Sequence, residues 1–462
     1  MTASSSPDQP ALRVGQLLEL TVDDLDQEGR GVGRHDGQVV FVPGGLPGER
    51  LRVRLRHQAR RHWQGELQEL LQAAPDRRRP PCILAERCGG CSLQALQDEA
   101  QQRWKQRRVA EALRRIANLD IPMRPLLAAP AGLGYRNRAV IPLERSDGRL
   151  RAGYYQRGSH RIVNMNHCPV LDPRLDALIA PIKQDLEATP WTVDRHAGGA
   201  EGGLRHLALR IGQHSGEILI SLIASHQQLS GVEDLARAWL GRWPQVVGVS
   251  LNLQPLAGNR LLGEETRVLA GRGELRERFA GVELWIAADS FFQVHTSQAE
   301  RVVPLLHEAL GPGCGRLLDA YCGIGTFSLP LAALGWRVLG IEQQASAVVL
   351  ARRNAAANGL AELAEFEAAA VGAVLADRLA HPAPGWNALL VDPPRKGLDP
   401  AALAAIASAG PPLLLYLSCD PATLARDLAV LCRQGGYQGR WLQPVDFFPN
   451  TSHAETLAVL ER

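Results

Sequence analysis

The stretch Leu415–Asp427, LYLSCDPATLARD, limits what this chain can fold into more than any other. Leu413, Leu414, Leu415, Tyr416 and Leu417 form an unbroken apolar run of strand length, which reads as a buried strand. The chain continues without a spacer as Ser418-Cys419-Asp420-Pro421, and a proline here marks the first turn of a helix. A strand passing directly into a helix belongs to an open α/β sheet, where ligands bind outside the carboxyl ends of strands. Cys419 stands at that edge. Its thiol, at a helix N-terminus, is expected to have a lowered pKa and to act as a thiolate nucleophile. The plainer alternative is a small buried cysteine closing a strand.

With 462 residues the chain has room for about three domains. It contains no apolar run of about 18 residues, so no membrane span is expected. The start, MTASSSPDQPALR, lacks a charged-then-apolar signal pattern and reads as a frayed tail of a cytoplasmic protein. A net charge of +3 does not by itself argue for nucleic acid. The cations are nearly all arginine, with Lys105, Lys183 and Lys396 as the lysines. Arginine suits phosphate, although a GC-rich genome gives the same bias. Eight cysteines in a long cytoplasmic chain argue for metal binding or catalysis rather than disulfides.

From Gln16 to about Leu71 short β segments alternate with glycine turns, which suggests a small OB-like barrel. Leu51, Val53 and Leu55 alternate with Arg50, Arg52, Arg54 and Arg56, giving one apolar face and one arginine face. That face reads either as a nucleic-acid surface or as a charged edge strand. Arg60, Arg61, His62 and Trp63 mix charge with an aromatic ring, as backbone-gripping surfaces do. PDRRRPP then reads as a stiff linker. Beyond it, Cys82, Cys88 and Cys91 form C-x5-C-x2-C around Gly89-Gly90, and Cys168 of NHCPVL is the best fourth thiol. Four cysteines suit zinc or an iron–sulfur cluster. A compact triplet with a distant Cys-Pro leans towards [4Fe-4S].

Residues 99–116 have helical periodicity, with a basic face of Arg103, Lys105, Arg107, Arg108, Arg114 and Arg115 that is either simply solvated or tracks phosphates. From Tyr135 to about Ile286 the pattern is mainly β with one or two covering helices, at Pro173–Leu186 and Leu229–Leu240. YRNR at 135–138 is either an RNA contact or a strand edge, and AGGAEGG at 197–203 reads as a turn. Then GRLLDAYCGIGTFSLPLA gives a strand, a glycine turn (Gly323, Gly325) and a helix, and RVLGIE ends on Glu342. No third glycine follows and no phosphate cradle is evident, which favours S-adenosylmethionine (SAM) over a dinucleotide. WNALLVDPPRKG ends a strand on Asp392 and aims that carboxylate into the crevice, with Arg395 and Lys396 placed to hold a phosphate. Phe291, Phe292 and Gln293 precede a helix and read as a lid.

Taken together, D-x-Y-C-G-x-G-x-F, DPPRKG, SCDPATLARD and H-A-E-T resemble the RNA (uracil-5-)-methyltransferases over essentially the whole chain. The barrel resembles a TRAM domain, and the cysteines resemble that family's [4Fe-4S] site, with Cys82, Cys88, Cys91 and Cys168 as its ligands. The combination is most similar to the bacterial 23S ribosomal RNA enzymes. The resemblance implies an α/β fold: a Rossmann-like SAM-dependent methyltransferase domain over 287–462, a TRAM-like OB barrel over 1–75, and a central β-rich iron–sulfur domain over 76–286. It implies Cys419 as nucleophile and Glu455 as base, with Gln293, Tyr321, Thr326, Glu342 and Asp392 lining the pocket for cofactor and target base. The implied activity is SAM-dependent C5-methylation of a uridine in 23S ribosomal RNA by a monomer without membrane or DNA partners. The alternatives are the same chemistry on transfer RNA or cytosine, a nicotinamide-dependent enzyme with a zinc site, and a non-catalytic RNA-binding protein.

Overall fold

The computed structural model describes residues 12–146, 148–193, 203–256, 258, 260–311, 315–380 and 385–462. Most of the tail expected over 1–13, most of the turn expected at 197–203, and Cys314 lie outside those residues. The chain divides into two units, Met1–Gln101 with Asn450–Ser452, and Gln102–Pro449 with His453–Arg462.

In the first unit β1 (Leu17–Leu25), β2 (Gly31–His35), β3 (Gln38–Val42), β4 (Arg50–Gln58) and β5 (Trp63–Gln72) close into a barrel of order β1-β2-β3-β5-β4. Strict alternation in β4 sends Leu51, Val53 and Leu55 inward, where each is fully buried. Gly65 in β5 faces the same core; an added Cβ would meet Val53 at 2.2 Å. β4 pairs with β1 on one side and β5 on the other, so it is no edge strand. Its outward arginines meet carboxylates of those neighbours: Arg50 pairs with Glu19, Arg52 with Glu69 and Arg56 with Glu66. The arginine row is therefore largely neutralised in place, and each such exposed pair contributes only about 0–1 kcal/mol.

α1 (Asp98–Ala112) leads into the second unit and widens into a single π turn over Leu113–Ala117, closed by Asn118 at φ 53°. Here one expectation fails. Lys105 is not part of an exposed basic face but is fully buried, donating to Asp446 Oδ1 at 2.7 Å and to the Phe448 carbonyl at 2.9 Å. A buried ammonium must be paired, and its partner lies too far along the chain for periodicity to find.

A six-stranded sheet follows, built from β6 (Arg138–Ser146), β7 (Arg149–Ala152), β8 (Leu204–Ile211), β9 (Ile218–Ala224), β10 (Val246–Leu253) and β11 (Glu265–Gly271) in the order β11-β10-β9-β8-β6-β7. Helices α2 (Pro173–Glu187) and α3 (Val232–Arg242) accompany it, matching the two covering helices expected. α3 connects β9 to β10, the parallel pair within this sheet. β12 (Glu274–Phe279) and β13 (Val282–Ala287) form a hairpin.

After α4 (Thr296–Glu300) and α5 (Val302–Leu310) come β14 (Arg316–Ala320), α6 (Ser328–Ala333), β15 (Arg337–Glu342), α7 (Ala345–Ala357), β16 (Ala364–Ala368) and α8 (Val371–Ala380). The chain ends with β17 (Ala388–Val391), α9 (Pro400–Ala409), β18 (Leu413–Ser418), α10 (Pro421–Gly435), β19 (Gln438–Val445) and β20 (Glu455–Glu461). The resulting seven-stranded sheet runs β16-β15-β14-β17-β18-β20-β19. Strand order reverses between β14 and β17, which opens a crevice at the carboxyl ends. The apolar runs of β17 and β18 are buried throughout except for Leu413. α9 and α10 start on the same device: Asp399 and Asp420 accept from the first free backbone N–H groups, and Pro400 and Pro421 take the position where no N–H is needed. Among the described residues no helix is long and apolar enough to cross a membrane.

Removing one partner of the Lys105–Asp446 pair strands a charge in the interior. Lys105→Ala is expected to destabilise the protein by about 3–5 kcal/mol, read from urea melts. Pairing it with Asp446→Leu should recover part of that loss, and no recovery would show that the charge pair is not the cause.

Candidate active site

Register brings the predicted residues to one edge of the seven-stranded sheet. Ala320 of β14 pairs with Val391 of β17, so Tyr321 and Asp392 leave adjacent strands side by side, and the Asp392 N–H donates to the Ala320 carbonyl at 3.3 Å. Val391 pairs in turn with Tyr416, and β18 runs two residues further to Ser418. β20 is antiparallel to β18, with Ser418 opposite Thr456. The end of β18 is therefore the beginning of β20, and Cys419 and Glu455 meet there.

On the β14–β15 side the chain turns through Tyr321 at φ 70°, Gly323 at 57° and Gly325 at 85°. Left-handed backbone at the non-glycine Tyr321 costs about 1–2 kcal/mol, a strain typical of sites that hold a ligand. Its phenol donates to Asp399 Oδ2 at 3.4 Å. Glu342 ends β15 and is fixed by two backbone donors, Gly323 N–H at 3.2 Å and Gln344 N–H at 2.8 Å. That leaves carboxylate lone pairs for hydroxyl groups of a ligand. Thr326 is buried where the turn enters α6. Asp319 of β14, two residues before Tyr321, is a residue to which the sequence reading gave no role. Burial pushes its carboxyl up to about 7, with Glu342 adding to the shift and the Ser328 hydroxyl opposing it.

On the β17–β18 side the Gln293 side-chain amide donates to Asp392 Oδ2 at 3.2 Å, tying the Phe291–Gln293 segment to the crevice. Desolvation, reinforced by Asp319, pushes Asp392 up to about 7. Glu455 is buried and pushed up to about 8 by desolvation and by Asp392, with Arg395 opposing. The Cys419 thiol corrects an expectation: it is pushed up to about 12, first by burial, then by Glu455 and Asp392. Asp420, which caps α10 by accepting from Ala422 and Thr423 N–H at 2.9 Å each, adds its charge to the rise. Arg395 is the cation that opposes the rise in both groups, and its Nη2 lies 3.1 Å from His453 Nε2.

Cys82, Cys88 and Cys91 lie in the first unit on a tight turn, where the Gly90 N–H points at Cys88 Sγ at 3.5 Å. Cys168 belongs to the second unit, its N–H bonded to Asp176 Oδ1 at 2.6 Å. All four are half-buried. Among the described residues no three His, Cys, Asp or Glu side chains form a group that could hold a metal ion.

The tRNA (Uracil-5-)-methyltransferase family model matches residues 281–462, and the TRAM domain model matches residues 11–66. An uncharacterized RNA methyltransferase of Parasynechococcus marenigrum is 50% identical over 100% of this chain and 98% of its own. One from Thermosynechococcus vestitus is 47% identical, covering 96% of this chain and 98% of its own. Among solved structures, the tRNA (uracil-54, C5)-methyltransferase of Pyrococcus abyssi, in complex with S-adenosyl-L-homocysteine, is similar with a TM-score of 0.74 at 25% identity. That match spans 96% of this chain and 100% of the Pyrococcus chain.

A thiol pushed up to about 12 holds little thiolate at neutral pH. Iodoacetamide should therefore label Cys419 slowly at pH 8, with a rate rising about tenfold per pH unit until the thiol ionises. Glu455→Gln removes a nearby negative charge and should speed labelling at pH 9. Peptide mapping by mass spectrometry reads both, and a rate that levels off below pH 8 would contradict the assignment.

Proposed function

The chain belongs to the RNA (uracil-5-)-methyltransferase family, and from that premise we propose that it methylates C5 of one uridine in 23S ribosomal RNA through a transient bond from Cys419. It is a SAM-dependent RNA methyltransferase with an N-terminal TRAM domain. The single observation that carries the mechanism is the meeting of Cys419 and Glu455 across the β18–β20 pairing. In this reading the barrel of 1–75 grips RNA, 76–286 forms the central domain, and 287–462 carries the chemistry.

The crevice suits SAM. Glu342, pinned by two amides, would hold its ribose hydroxyls, with Tyr321, Thr326 and the glycine turn beside it. When bound, SAM supplies a methyl group on a positively charged sulfonium. Gln293 and Asp392 hold the polar edge of the uracil, which must first leave its stack at a cost of a few kcal/mol. Cys419 gives its proton to water as its sulfur adds to C6, and the electron pair of the C5–C6 double bond moves towards O4. C5 thereby becomes nucleophilic and accepts the methyl group. Glu455 then takes the proton from C5, the S–C6 bond breaks and the double bond re-forms. A carboxyl pushed up to about 8 suits this task, because a general base works best with a pKa near the operating pH.

Transfer RNA uridine is the second reading, favoured by the target of the Pyrococcus enzyme. Cys82, Cys88, Cys91 and Cys168 are proposed to hold a [4Fe-4S] cluster. The support is donor chemistry: four thiols, one of them already receiving a backbone N–H. No step above passes through the cluster.

Fluorine at C5 blocks the final proton removal and traps the bond to sulfur. With SAM and 5-fluorouridine-substituted 23S RNA, the protein should form a denaturation-resistant adduct, and with transfer RNA it should not. Cys419→Ala should form none and lose about a thousandfold or more in rate. Glu455→Gln should still form the adduct while turning over poorly on natural RNA. An adduct with the Cys419 variant ends the mechanism, and one confined to transfer RNA ends the substrate assignment. For the cluster, anaerobic purification should give a brown protein with bound iron and sulfide, and Cys88→Ser should be colourless. A colourless wild-type protein holding zinc would overturn the assignment.

A further inference from the structure

The segment before Glu455 is clasped from several sides. Lys105 of α1 holds Asp446 and the Phe448 carbonyl, and Tyr135 donates to the Pro449 carbonyl at 3.2 Å. The Tyr135 ring stacks on His295 with centroids 4.6 Å apart, and His295 Nδ1 lies 3.2 Å from the Phe447 carbonyl. The Phe448 ring packs edge-on against His453 at 5.7 Å. Three arginines arrive at this place from three elements. Arg395 follows the Asp-Pro-Pro turn and reaches His453. Arg108 lies three residues after Lys105 on the same face of α1, its guanidinium 4.8 Å over the Trp104 ring. Arg136 follows Tyr135 on the lead into β6.

We infer that these three arginines, gathered around His453, seat a backbone phosphate of the RNA beside the pocket for the target base. The inference rests on the RNA-modifying role proposed above and names the groups that would hold the strand. Lys105 has its charge met by Asp446 and is not counted. His453 is kept neutral, pushed down to about 4 by burial and then by Arg395, Lys105, Arg108 and Arg136, so its ring serves as an acceptor that orients Arg395. Converging guanidinium groups repel one another, and a phosphodiester relieves that repulsion while accepting their planar N–H groups. His453 stands two residues before Glu455, so the seat borders the segment that carries the proposed base.

The test is a salt titration of binding, using the full-length protein and a short fluorescent oligouridylate. Each phosphate neutralised contributes about 0.7 to the slope of log Kd against log salt for single strands. Arg395→Gln, Arg108→Gln and Arg136→Gln should each weaken binding and flatten the slope, all three together by about 0.7 because one phosphate is seated, and Arg395→Lys should restore the slope. Arg237→Gln, on α3, should leave it unchanged, and thermal melts confirm that each variant is folded. Unchanged slopes in all three variants overturn the seat. So does a fall in kcat for Arg395→Gln with binding intact, which would assign that arginine to the chemistry. Binding is measured without methyl transfer, so flattened slopes in a protein that methylates neither RNA would uphold the seat and sink the functional reading.

Discussion

The antiparallel pairing of β20 with β18 is the constraint on which the site depends. A strand's side chains alternate between faces, so a slip of one residue would turn the whole set over. With Ser418 opposite Thr456, the thiol at the end of one strand and the carboxyl at the start of the next-but-one meet at the sheet edge. β20 lies between β18 and β19 and is buried along almost its entire length. Register is strongly specified in such a strand. The same burial that fixes Glu455 in place strips water from its carboxyl and raises its pKa, so position and reactivity have one cause.

Much of this was legible from the chain because its signals are local. The apolar run before Cys419, the Asp-Pro helix starts, the glycine turn after Asp319 and the alternation of Leu51, Val53 and Leu55 each need only a few adjacent residues to be read. The α/β sheet and the barrel followed from them. The bounds of β11 and β12 are not legible within the β-rich stretch, because ETRVLAG and ELRERF carry charges on partly exposed strands and offer no clear apolar rhythm. Lys105 read as surface because its partner Asp446 comes from the far end of the sequence. The thiol prediction had the wrong sign for a related reason. Burial and the charges of Glu455 and Asp392, which raise the thiol, come only with the fold, and Asp420, which caps α10, adds its charge to them.

The electrostatics of the crevice and its rim are arranged in opposite senses. Inside, Asp319, Asp392, Glu455 and Cys419 are each displaced upward, chiefly by loss of water and further by one another's charge. Such a group stays close to neutral by keeping its protons, which avoids the large cost of several bare anions in one desolvated pocket. A positively charged ligand changes that balance, because it lowers the pKa of every acid near it and is itself favoured by the ionised forms. The pocket is thus matched to a cation such as a sulfonium and poorly matched to a phosphate. At the rim the sign is reversed: Arg395, Arg108 and Arg136 surround a neutral His453. In the proposed seat a polyanionic strand would be held there while an uncharged base passes inward. The separation of sign over a few residues lets one edge of one sheet accept a cationic donor and an anionic polymer without either occupying the other's place.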